Sequence, residues 1–74
     1  MKIRVWIVTV ADRGVIEHVR ACSTQTKAQK DLAAHLRRYH EYRGSRKMEE
    51  LSAWLDQHNE RLSAQISCQK LQLE

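Results

Sequence analysis

The sequence predicts a small α+β domain of order ββααβ, an antiparallel hairpin and a third strand packed on two helices, and three observations carry that prediction. The chain opens on a run of β-branched and aromatic residues, KIRVWIVTV. Its hydrophobic period changes from two to about 3.6 after Ser23-Thr24. Alternation then returns in the tail, LSAQISCQKLQL.

In residues 2–10, Ile3, Val5 and Ile7 fall on one face of a strand, and Trp6, Val8 and Val10 on the other. A strand apolar on both faces belongs in the middle of a sheet, unless a partner covers one face. Asp12-Arg13-Gly14 supplies the turn, with Gly14 free to take the positive φ that a short hairpin loop with a bulge demands. VIEHVRAC, residues 15–22, returns as the second strand.

Either hydroxyl of Ser23-Thr24 caps a helix expected from Gln25 to Tyr42. Ala28, Leu32, Leu36 and Tyr39 form its apolar stripe, and Gly44 in Arg43-Gly44-Ser45-Arg46 suits the left-handed residue that closes it. A shorter helix follows from Lys47 to about His58, with Met48, Leu51, Trp54 and Leu55 inward, Glu49-Glu50 at its positive end and Asn59 as a stop. Residues 62–73 read two ways. They alternate at Leu62, Ala64, Ile66 and Cys68 and then shift phase to Leu71 and Leu73, as in a strand with a bulge, yet Leu51, Leu55, Leu62 and Ile66 also keep helical spacing. The strand is preferred because a hairpin alone is marginal and the first strand wants another neighbour; a helical tail would instead predict dimerisation through helix pairing.

At 74 residues the chain suits one domain, residues 1–74, of thin stability. Two cysteines, Cys22 and Cys68, make neither a disulfide framework nor a zinc module, and buried thiols are expected. Polar or charged Arg4, Thr9 and Asp12 interrupt the opening apolar run, so it is not read as a signal peptide; no stretch is long enough for a membrane span, and the expected compartment is the cytoplasm of its own cell or of a host.

A domain this small has little room for a catalytic cleft, and the glycine-rich phosphate loop, the Gly-x-Ser-x-Gly elbow and the His-Glu-x-x-His pattern are all missing from the sequence. No enzyme activity, cofactor or metal is expected. His35 and His40, five apart, point some 140° away from each other on an ideal helix. A Cys22, His18 and Cys68 ligand set is the remaining metal reading, with packed cysteines preferred. Asp12, Glu17, Asp31 and Glu41 read as solvated charges, Asp31 pairing with nearby lysines on the helix surface.

The net charge of +4 favours an acidic protein face or nucleic acid, and it concentrates in one segment. Arg37, Arg38, Arg43, Arg46 and Lys47, with His40 among them and Tyr39 and Tyr42 interleaved, combine phosphate-binding forks with rings on which bases stack. The plainer reading is a solvated helix end whose cations complement the helix dipole, with Tyr39 in the core. Trp6 is the second candidate. Helices covering one face of the sheet leave the other open, and an apolar face carrying Trp6, Val8 and Val10 would be a protein-binding or dimer surface; a helix over that face is the rival.

The plan of a hairpin ending in Ser-Thr, a helix opened at Lys-Ala, a Glu-Glu-Leu-x-x-Trp-Leu helix and a strand-like tail resembles the compact accessory proteins of phages and other mobile elements. That resemblance is architectural, spans the whole chain and transfers no functional residue. It implies a non-enzymatic protein-binding module that inhibits or regulates a larger host complex by occupancy, and the residues themselves offer Arg37, Arg38, Tyr42, Arg43, Arg46, Lys47 and Trp6 as the surface for such a partner. A small basic nucleic-acid-binding protein using the Arg37 to Lys47 segment is the alternative.

Overall fold

A computed structural model describes residues 2–72 and has the expected order: β1 (Lys2–Asp12), β2 (Val15–Cys22), α1 (Gln25–His40), α2 (Met48–Gln57) and β3 (Leu62–Gln72). The three strands form one antiparallel sheet in the order β2-β1-β3, so β1 is central as its two apolar faces require. The tail is a strand; Leu73 lies outside the described residues.

The hairpin loop has two residues, Arg13 at φ 53° and Gly14 at φ 84°. Two consecutive positive φ values match the right-handed twist of the flanking strands, so this turn closes without the bulge expected there. The bulge lies deeper. Val10 pairs with His18 and Ala11 with Ile16, leaving Glu17 as the extra residue of β2. β3, where the phase shift predicted a bulge, pairs with β1 without interruption from Lys2 opposite Gln72 to Asp12 opposite Leu62.

Paired residues share a face, so Trp6, Val8 and Val10 lie with Cys22, Ile66 and Ala64 against the helices. There Val8 and Val10 meet Ala28, Leu32, Ala33, Leu36, Tyr42 and Leu51 in the buried core, with Trp6, Met48, Trp54 and Leu55 packed around it. Thr24 opens α1, its hydroxyl accepting from the Lys27 amide at 3.1 Å.

α1 ends two residues earlier than its periodicity suggests. Glu41, at φ 57° and ψ 27°, is the left-handed closing residue, and the Tyr42 amide donates back to the Leu36 carbonyl at 3.2 Å. This reversal exchanges the two tyrosines: Tyr42 turns inward and is 3% exposed, whereas Tyr39, expected in the apolar stripe, is 59% exposed. Gly44 has another role. A Cβ there would lie 2.6 Å from Cζ of Tyr42, so glycine leaves room for the ring. The Tyr42 hydroxyl donates to the Ser45 carbonyl, the Arg37 guanidinium to the Gly44 carbonyl at 2.8 Å, and the Ser45 amide to Glu50 at 2.6 Å. α2 ends at Gln57, before Asn59, and His58 stacks on Trp54 with ring centroids 4.1 Å apart.

Candidate functional site

Three surfaces arise from this arrangement. The first is the outer face of the sheet, opposite the helices. By register it carries Ile3, Val5, Ile7, Thr9 and Ala11 from β1, Ile16, Val19 and Ala21 from β2, and Ser63, Gln65, Ser67 and Gln69 from β3. None of these residues is charged, in a chain with 13 Lys and Arg and 9 Asp and Glu. Ile16 and Val19 are 63% and 59% exposed. The open apolar face is therefore the one without Trp6. Trp6 is half-buried beneath the helices, since two helices cover its side and nothing among the described residues covers the other.

The second surface is the basic segment. Arg37, Arg38, Arg43, Arg46 and Lys47 are all exposed, and no carboxylate among the described residues lies within ion-pair distance of them. They do not form one patch. Arg37 and Arg46 join Lys30, Ala33 and Ser45 around a shallow pocket of about 480 Å³, while Arg38 lies over the Tyr39 ring, 5.4 Å from its centroid, beside His18 and His35. Tyr42 drops out as a partner-binding residue because its ring is in the core, edge-on to Trp54 at 5.5 Å. Burial is the main cause that pushes its hydroxyl above the usual tyrosine range, with Glu50 acting in the same sense and Arg37 opposing.

The third is a histidine cluster between β2 and α1. The β-bulge turns successive residues Glu17 and His18 toward the helix, where alternation alone would have sent them to opposite faces. His18 stacks on His35 with centroids 4.4 Å apart and planes 17° apart, and its Nε2 donates to Asp31 at 2.7 Å. His40 Nε2 donates to Glu17 Oε1 at 2.6 Å. His35 Nε2 stops 3.6 Å from Glu17 Oε2, too far for a hydrogen bond, and is buried without a hydrogen-bond partner among the described residues. The side chains of His35 and His40 are only 8% and 6% exposed. Burial, then the neighbouring His18, lowers the affinity of His35 for a proton; Glu17 opposes this and His40 adds to it.

This cluster corrects three sequence readings. The His35 and His40 rings converge to 5.9 Å because Glu17 lies between their directions on the helix. Glu17 accepts from His40 and lies 3.6 Å from His35 instead of being a solvated charge, and Asp31 reaches across to His18, and to Arg20 at 3.7 Å, instead of to the helix lysines. A pattern search over α1 alone misses the site because its carboxylate comes from a bulge in another strand. The Cys22, His18 and Cys68 set does not assemble. Trp6 separates the cysteines across the sheet, about two strand spacings or 9.5 Å, and His18 lies four residues from Cys22 along β2. Both thiols are free, Cys22 half-buried and Cys68 exposed. No helix among the described residues is long and apolar enough to cross a membrane. Compared with known protein families, with curated proteins and with solved structures, the chain matches none of them.

Proposed function

We propose that the chain is a non-enzymatic protein-binding module, acting by occupancy on a larger complex, and that it docks through the outer face of its sheet. The observation that carries this reading is the absence of charge from that face among the described residues, with Ile3, Val5, Ile7, Ile16 and Val19 at its apolar side. A face residue covers about 32 Å², from a strand spacing of about 4.8 Å and two residue rises, so the twelve positions span roughly 400 Å². Seven of the twelve are apolar and five are Thr, Ser or Gln, so the apolar part is roughly 220 Å², while the whole face is about half of one side of a standard interface, the size of a weak, reversible contact.

An uncharged protein surface is the partner this face fits, and a second copy is the first to test, since face-to-face pairing brings no like charges together despite the net charge of +4. Sedimentation velocity on the full chain up to several hundred micromolar should show reversible dimerisation. Ile7→Lys with Val19→Lys should abolish it while leaving the circular dichroism unchanged. A strictly monomeric protein that also fails to bind a hydrophobic dye would refute the docking face.

A second reading, nucleic-acid binding, is favoured by one feature, the convergence of Lys30, Arg37 and Arg46 on a single pocket. It predicts affinity for DNA or RNA that falls steeply with salt and is lost in Arg37→Glu with Arg46→Glu. Absence of binding at low salt removes it.

A further inference from the structure

We propose that Glu17, His35 and His40 form a binding site for a single Zn²⁺ ion, which would fasten the bulge of β2 to the end of α1. One ligand atom from each of the three, the His35 and His40 ring nitrogens and a Glu17 oxygen, lies within 4.8 Å of the others. Tetrahedral zinc with bonds of about 2.0–2.2 Å needs its ligand atoms roughly 3.4 Å apart. Glu17 Oε1 is 2.6 Å from His40 Nε2, Glu17 Oε2 is 3.6 Å from His35 Nε2, and no separation in the set exceeds 4.8 Å, so changes of up to about 1.4 Å bring the three ligand atoms to that spacing.

The second observation is the orphaned Nε2 of His35, on a side chain more than nine-tenths buried and aimed at the Glu17 carboxylate. An unpartnered buried nitrogen costs about 1–3 kcal/mol. A metal ion between the three side chains satisfies it, whereas Glu17, bonded to His40 at 2.6 Å, leaves it 3.6 Å away. The donor set selects the metal: two imidazoles and one carboxylate suit zinc and its borderline neighbours, while Mg²⁺ demands an oxygen shell. His18 stacks on His35 and is itself held by Asp31, which fixes the plane of the His35 ring. Three protein ligands leave the fourth position for water. Binding needs no redox step; the Nε2 proton that His40 donates to Glu17 moves to Nδ1 or leaves to solvent, and Glu17 is already an acceptor.

The site lies on the helix side of the sheet, away from the proposed docking face, so the two ideas stand or fall separately. Calorimetric titration of chelator-treated full chain with Zn²⁺ should give a stoichiometry of one, and millimolar Mg²⁺ should give no heat. Co²⁺ should develop the intense visible bands of a tetrahedral site. Glu17→Gln and His40→Gln should each weaken binding by about 100-fold or more, the upper end of what losing an outer-shell partner does. A 100-fold excess of Zn²⁺ over Kd should raise Tm by roughly 10 °C or more in the wild type only. No zinc binding by the folded wild type, or binding that survives both substitutions, as it would if Cys68 or His58 held the ion, overturns the proposal.

Discussion

Replacing Gly44 by alanine puts a methyl carbon 2.6 Å from Cζ and 2.8 Å from Cε1 of Tyr42. At most positions of ordinary φ, glycine to alanine stabilises by about 0.4–1 kcal/mol, because the unfolded chain loses freedom. Gly44 is outside the positive-φ region, so its backbone would accept alanine. The ring decides the sign. Tyr42 is 3% exposed, edge-on to Trp54, and tethered through its hydroxyl to the Ser45 carbonyl, so it has nowhere to retreat. Overpacking of this kind costs about 1–3 kcal/mol, leaving a net destabilisation of about 1–2 kcal/mol. For a chain of this size that lowers Tm by roughly 5–15 °C. Thermal and urea unfolding of Gly44→Ala measure it directly. The same substitution in a Tyr42→Ala background should be neutral or stabilising, since the obstructing ring is gone. Wild-type or higher stability of Gly44→Ala alone would refute the close approach.

Arg13 occupies a left-handed position that asparagine and glycine tolerate better, so Arg13→Asn should raise stability by about 0.5–1 kcal/mol in urea unfolding. Leu36→Ala should cost about 2–5 kcal/mol, whereas Tyr39→Ala, at an exposed site, should stay within about 0.5 kcal/mol; a large loss at Tyr39 in the same assay would return that ring to the core. Tyr42 has a raised folded pKa, and the sign follows: the unfolded chain releases its phenolic proton first, so stability is complete below about pH 10 and falls as pH rises toward the folded value. Urea midpoints between about pH 9 and 11 should therefore drop more steeply for wild type than for Tyr42→Phe.

The strands and their order were legible because β1 announces its own burial. A nine-residue run apolar on both faces needs a neighbour on each side, and that requirement resolved the tail in favour of a strand. Helix α2 was legible through Leu51 and Trp54. The end of α1 was not, because Glu41 takes the left-handed conformation that glycine usually takes, and a periodic stripe extended past it selects Tyr39 over Tyr42. The histidine cluster was illegible for a related reason. Strict alternation along β2 puts Glu17 and His18 on opposite faces, and one inserted residue overrides it without any glycine to mark the place. Of the residues first considered for partner binding, the cations are on the surface as their chemistry requires, while Trp6 and Tyr42 serve the interior.

The position of β1 between the hairpin strand and the last strand also sets an order of events as the chain folds. Its contact with β2 closes a two-residue loop, but its contact with β3 begins only at Leu62, about 50 residues beyond Asp12. The difference in chain-closure entropy is about 3 kcal/mol, a barrier met before the second ladder can repay it. During synthesis at about 5–20 residues per second, the first half of the sheet waits several seconds for its other edge. In that interval the most apolar strand of the molecule has one side unpaired, so nascent chains, more than finished ones, are where this protein is exposed to aggregation and to capture by chaperones.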